Sequence, residues 1–183
     1  MKTDATLNKA KAAVYAKVLL DAATASNNVF AIAGEFDELL ATVRGSIELR
    51  NALTDKVFDS EAKKKIVAEV FEGYAPELLA TFDVMVERGD LQALPRTHSL
   101  YVSMAEEALG ATIIDATTVV PLDDALRNQI ITKYSAELGT KVLLREHLDS
   151  SLIGGIVLST HGKRIDASVS SQLENARHVL SKA

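Results

Sequence analysis

The chain has 183 residues, 48% of them hydrophobic and 25% charged, the make-up of one large globular domain or two small ones and not of a disordered segment. It contains no cysteine, which excludes disulfides, thiolate metal sites and a thiol nucleophile. Lys and Arg number 20 against 25 Asp and Glu, a net charge of −5, and nucleic acid is a poor partner for such a balance because phosphate neutralisation needs a basic surface.

Residues 1–110 hold 12 basic and 17 acidic groups, whereas residues 111–183 hold 8 of each. The densest basic run, Lys63-Lys64-Lys65, has Glu61 and Glu69 four residues to either side of Lys65 and reads as a solvated helix face. No apolar run reaches the roughly 18–20 residues of a membrane span. The start, Met1 to Lys17, mixes Lys, Asp and Asn into an Ala-rich stretch and lacks the apolar segment of a signal peptide. A soluble, cytosolic chain without membrane insertion is expected.

Residues 5–109 read as a string of helices. The first covers 5–24. The second carries Val29, Ile32, Phe36, Leu39 and Val43 at spacings of three and four, a single stripe on one face. A short third helix covers about 46–53. Asp59 is placed to cap a fourth helix holding Ile66, Val67, Val70 and Phe71, with Gly73 as its stop. Pro76 suits the first turn of a fifth, running through Leu79, Phe82 and Val86 to Gly89. The sixth starts near Pro95 and ends at Leu109-Gly110. Six helices with short connections predict a compact bundle.

After Gly110 the pattern changes. Thr112 to Ile114 and Thr117 to Val120 are rich in β-branched residues, as strands prefer. Asp123 is placed to cap a helix through Leu126, Ile130, Ile131 and Tyr134, stopped at Gly139. Lys141 to His147 and Ile153 to Ser159 read as strands, and Thr160 to Lys163 as a turn into Arg164-Ile165-Asp166. Ser168 then caps a last helix with Val169, Leu173, Ala176 and Leu180. The fold class expected is mainly α: a six-helix bundle over 1–109, then over 110–183 a small α/β domain with a β-hairpin and a closing helix.

Catalytic patterns are not found. His98, His147, His161 and His178 form none of the spacings that ligate a metal from one helix. Asp149, His161 and Ser168 could be drawn as a triad, but no strained Gly-x-Ser-x-Gly turn accompanies them. Gly155 lies too far from Gly162-Lys163 for a phosphate loop, and Arg164 follows where Ser or Thr should bind the metal. The Gly154-Gly155 pair suits a backbone that bends or is approached closely in a β context. No cofactor and no metal are expected. An enzyme reading would rest on Asp149, His161 and Asp166 beside the hairpin.

Two helices carry more apolar surface than an outer helix needs. In the first, Leu7, Ala10, Val14 and Val18 make one stripe, and Tyr15, Leu19, Ala22 and Ala23 a second. In the fifth, Leu79, Phe82 and Val86 suit the core, yet Leu78, Ala80, Val84 and Met85 are apolar as well. Either both helices are buried all round, or they flank a groove for a partner helix.

Three segments resemble one known family. The most specific is Asp149-Ser150-Ser151-Leu152-Ile153-Gly154-Gly155-Ile156-Val157 followed by Gly162-Lys163-Arg164-Ile165-Asp166-Ala167-Ser168-Val169. It closely resembles the C-terminal signature of the delta subunit of bacterial and chloroplast F-type ATP synthases, whose mitochondrial counterpart is the oligomycin-sensitivity-conferring protein. Tyr15-Ala16-Lys17-Val18-Leu19 is similar to the family's Tyr-Ala-Lys-Ala-Leu. Glu87-Arg88-Gly89-Asp90-Leu91-Gln92-Ala93-Leu94-Pro95 is similar to its Glu-Asn-Gly-Arg-Leu-x-x-Leu-Pro. The chain departs from the family at Val14, where a polar residue is usual, at Ser150 in place of Pro, and at Arg88 in place of Asn.

The resemblance implies a non-catalytic stator subunit. Its N-terminal domain would hold the N-terminal helices of alpha subunits of the catalytic head in a groove between the first and fifth helices, with Tyr15, Val18, Leu19, Val84 and Met85 carried over as the contact residues. Its C-terminal domain would hold the b subunits of the peripheral stalk near Gly154, Gly155 and the closing helix. The expected location is the cytoplasmic side of a bacterial membrane, within the ATP synthase complex. A generic helical adaptor unrelated to ATP synthesis is the alternative.

Overall fold

The computed structural model describes residues 2–55, 57–160 and 163–180. The chain is mainly helical, with a small four-stranded sheet in its C-terminal part. It divides into two compact units, Met1–Leu109 and Gly110–Ala183.

In the first unit the described helices are α1 (Lys2–Ala25), α2 (Val29–Gly45), α3 (Ile47–Thr54), α4 (Ser60–Val70), α5 (Pro76–Glu87) and α6 (Leu94–Leu109), with a short 3-10 turn at Leu91–Ala93 before α6. Local chemistry explains most boundaries. The Asp59 carboxylate accepts from Ala62 N–H at 2.7 Å and caps α4, and Ser46 does the same for α3 through Leu49 N–H at 3.1 Å. Pro76 occupies the first turn of α5, where its missing N–H costs nothing. Helix α4 stops at Val70, earlier than the placement of Gly73 as its stop suggests, because Phe71 turns into the core and packs edge-on against Phe82, ring centroids 5.7 Å apart.

The core gathers Leu19, Ile32, Phe36, Leu78, Phe82 and Tyr101, all essentially inaccessible to water. Tyr101 is the largest of them, and its hydroxyl donates to the Val29 carbonyl at 3.0 Å, so its polar end is satisfied inside. Burial pushes that phenol's pKa far up.

Helix α1 resolves the ambiguity of its two stripes. Ala12, Tyr15, Ala16, Leu19 and Ala23 are the buried face, while Leu7, Val14 and Val18 are more than half exposed. The stripe Leu7–Ala10–Val14–Val18 therefore faces outward. The inner face, with the small Ala12 and Ala16 fully buried, lies against the neighbouring helices, of which α6 is the most extensive.

The second unit runs β1 (Ala111–Thr118), α7 (Asp124–Leu138), β2 (Lys141–Leu148), β3 (Gly155–Thr160), β4 (Lys163–Ser168) and α8 (Val169–Leu180). The sheet order is β2-β1-β3-β4: β1 and β2 are parallel across the α7 crossover, and β3 is antiparallel to both β1 and β4. The two short strand segments expected at 112–114 and 117–120 form one strand that ends at Thr118. An unbroken register from Ala111↔Lys141 to Thr118↔Leu148 holds it together, and Val119 and Val120 lie outside.

The residue that splits the apolar run, Asp115, is accommodated by Arg145, its direct partner on β2, whose Nε stands 2.6 Å away. Strand β3 likewise begins at Gly155, leaving Ile153 exposed. On the other face Ile114, Ala116, Val142 and Leu158 pack with Tyr134 of α7. Asp123 caps α7 through Leu126 N–H at 2.7 Å, and Gly139 ends it at φ 67°. Ser168 starts α8, its hydroxyl accepting from Ser171 N–H at 3.3 Å.

Candidate partner-binding grooves

Helices α1 and α5 leave an open trough between them with a volume of about 670 Å³. Val14, Val18 and Ala22 form the α1 wall, Ala80 and Val84 the α5 wall, and Glu77 and Arg88 mark opposite ends along α5. Val14 is 62% exposed, Val18 56% and Val84 39%. Three exposed valines bordering one trough make an apolar strip of the kind that buries a partner's side chains.

Of the five contact residues carried over from the resemblance, the structure brings Tyr15, Val18 and Val84 to this trough. It does not bring Leu19 or Met85. Both are core residues, 0% and 1% exposed, and each must be corrected from a contact residue to a packing residue. A helix shows a partner only the stripe turned away from its own core, and Leu19 and Met85 lie on the inner one. Val14, Ala22 and Ala80 are apolar trough residues not carried over; the signal for Val14 lies in the sequence, on the Leu7–Ala10–Val14–Val18 stripe and as an apolar residue where the family usually has a polar one.

Tyr15 is only 8% exposed, yet it lines the trough. Its hydroxyl donates to Asp90 Oδ2 at 2.8 Å, and Lys11 Nζ donates to Asp90 Oδ1 at 2.5 Å. Asp90 is itself 8% exposed. Burial pushes the Asp90 carboxyl pKa up, but the hydrogen bonds from Lys11 and Tyr15 and the nearby Arg88 charge outweigh it and hold the group below the ordinary carboxylate range.

The second unit has an apolar hollow of about 510 Å³ beside α7, walled by Val120, Leu126, Ile130, Gly155, Ile156 and Ala167 among others. A smaller one of about 270 Å³ adjoins it, sharing Ile130, Ile156, Leu158 and Ala167. The α7 face of the sheet is thus left open over β3 and β4, with Ile165 44% exposed.

Both carried-over glycines border the larger hollow, yet their backbone role is plain. Gly155 has φ +85°, and a Cβ there would lie 2.5 Å from the Ala167 carbonyl oxygen. Only glycine lets β4 pair so closely at this register. A Cβ on Gly154 would meet Val169 of α8 at 3.2 Å.

The acids of the enzyme reading serve locally. Asp149 accepts from Ser151 N–H at 2.8 Å and Asp166 from Ser168 N–H at 3.0 Å, both turn-stabilising bonds. His161 and Gly162 lie outside the described residues. Among the described residues no helix is long and apolar enough to cross a membrane.

Known proteins match this chain over most of its length. The family model of the ATP synthase delta (OSCP) subunit matches residues 12–180. The chain belongs to that family. An ATP synthase subunit delta from Prochlorococcus marinus (strain AS9601) is 31% identical over 170 residues, covering 92% of this chain and 94% of its own. Another, from Rhodopirellula baltica, is 30% identical over 162 residues, covering 87% and 71%. A chain of the Toxoplasma gondii mitochondrial ATP synthase hexamer shares the fold, with a TM-score of 0.53 at 17% identity over 92% of this chain and 96% of that one. Family membership sets aside the unrelated-adaptor alternative.

Proposed function

We propose that this chain is the non-catalytic upper joint of an F-type ATP synthase stator, its first unit working as a six-helix bundle and its second as a small α/β domain with a hairpin and a closing helix. The trough between α1 and α5 receives the apolar face of an alpha-subunit N-terminal helix, and Val14, Val18 and Val84 supply the area that becomes buried. The open apolar face beside α7, near Gly154, Gly155 and α8, holds the C-terminal end of the b subunits. The chain is a peripheral protein on the cytoplasmic side of the membrane, held there by these partners and needing no cofactor or metal.

The mechanism is mechanical. Proton flow turns the central stalk within the catalytic head, and the head would turn with it unless tied to the membrane-embedded stator. Two contacts on one chain make that tie. Once one is made, the second forms at a high effective concentration, so two moderate interfaces give a firm clamp.

The observation that carries this reading is the trough with its three exposed valines in a member of this family. Calorimetric titration of the full chain with a synthetic peptide of the same organism's alpha-subunit N-terminus tests it. Tight binding with a negative heat-capacity change is expected, as burial of apolar surface requires. A folded chain that does not bind would overturn the alpha-subunit contact.

A further inference from the structure

The trough has one built feature that apolar burial does not explain: a buried carboxylate at its Arg88 end. Helix α5 terminates in a Schellman turn, with Gly89 at φ 70°, Gly89 N–H on the Val86 carbonyl at 3.1 Å and Asp90 N–H on the Met85 carbonyl at 2.8 Å. The turn places Asp90 against α1, where its two oxygens take Lys11 Nζ and Tyr15 Oη. Lys11 and Tyr15 are four residues apart and so stand one above the other on α1. These two bonds join α1 side chains to the end of α5 across 79 and 75 positions of sequence.

We propose that Asp90 is the positioning residue of the trough: it ties α1 to the end of α5 and so sets the separation at which Val14 and Val18 stand across from Val84. What fills the trough rests on the functional reading above; the tie itself does not. A charge-assisted bond to a buried carboxylate is short and directional, whereas apolar contact is non-directional and fixes no single helix separation. The same tie explains why Tyr15, nearly buried, belongs to the trough. Its ring forms a wall and its hydroxyl holds that wall in place. Arg88 lies close enough to act on both Tyr15 and Asp90, so the trough's charged end is one connected group.

Because the chain has no cysteine, nitroxide labels at Lys17→Cys and Glu87→Cys, two exposed positions on α1 and α5, report the helix separation in the full chain by pulsed electron paramagnetic resonance. Asp90→Ala and the milder Asp90→Asn and Tyr15→Phe are compared without peptide, and their affinities for the alpha-subunit peptide are measured where thermal unfolding shows each fully folded. The expected result is a broadened distance distribution and roughly tenfold weaker binding for Asp90→Ala, with smaller effects for the other two. An unchanged distance distribution overturns the proposal whatever the peptide does. A broadened distribution with unchanged affinity also overturns it, since the tie would then be structural only. If the original chain does not bind the peptide, the alpha-subunit reading fails and the distance measurement alone decides the tie.

Discussion

Replacing Val14, Val18 and Val84 together by alanine removes two methyl-sized groups at each site. A buried group of that size is worth about 0.8 kcal/mol. Only the part now in water can be gained on binding, and the three residues are 62%, 56% and 39% exposed. The losses are then about 1.0, 0.9 and 0.6 kcal/mol, together about 2.5 kcal/mol, or roughly 70-fold in dissociation constant.

Folding stability should move the other way. The sites are exposed, and alanine is a better helix former than valine by a few tenths of a kcal/mol each. The assay is therefore a pair: calorimetric titration of the full chain with the alpha-subunit peptide, and urea denaturation of the same samples. Weak binding by a variant at least as stable as the original is expected. Binding within twofold of the original would refute the assignment of the trough, and a large loss of stability would refute the reading of these valines as an outward face.

Leu19→Ala and Met85→Ala should do the opposite, lowering unfolding free energy by about 2–5 kcal/mol through core cavities, read as a fall in denaturation midpoint. Gly155→Ala should loosen the β3–β4 hairpin, because its Cβ would strike the Ala167 carbonyl and its φ is positive; faster amide hydrogen exchange in those two strands is the check. At low pH the carboxylates of Asp90 and Asp115 should contribute to unfolding. Burial raises both pKa values, but hydrogen bonds from Lys11 and Tyr15, and from His147 and Arg145, bring them below the ordinary value. Their stabilisation is full above the unfolded pKa of about 3.9 and is lost as pH falls through the folded one. Asp90→Asn should flatten that acid limb in pH-dependent urea melts.

Much of the architecture was legible because it is local. Asp59, Pro76, Asp123 and Gly139 act within one turn of their own positions, so cap and stop chemistry placed the ends of α4, α5 and α7 near where they fall. The β3–β4 hairpin was legible from the apolar run Ile153 to Ser159 and the turn signal that leads from it into Arg164-Ile165-Asp166. Register was not. One continuous β1 exists because β2 pairs with it along its whole length and Arg145 answers Asp115, a match between residues 30 apart.

The candidate site divides in the same way. The sequence by itself determined that α1 carries two apolar stripes and that α5 is apolar on more than one side, since helical spacing counts apolar residues without regard to neighbours. Only the tertiary structure decided which stripe is outside. Packing of α1 against its neighbours, α6 above all, covers the face of Ala12, Ala16 and Leu19, so Val14 and Val18 stay out. Asp90 shows the same limit. Its position after Gly89 is readable as a turn, but its partners on α1 are 75 and 79 residues away, and only folding brings that carboxylate to the two donors that satisfy its buried charge.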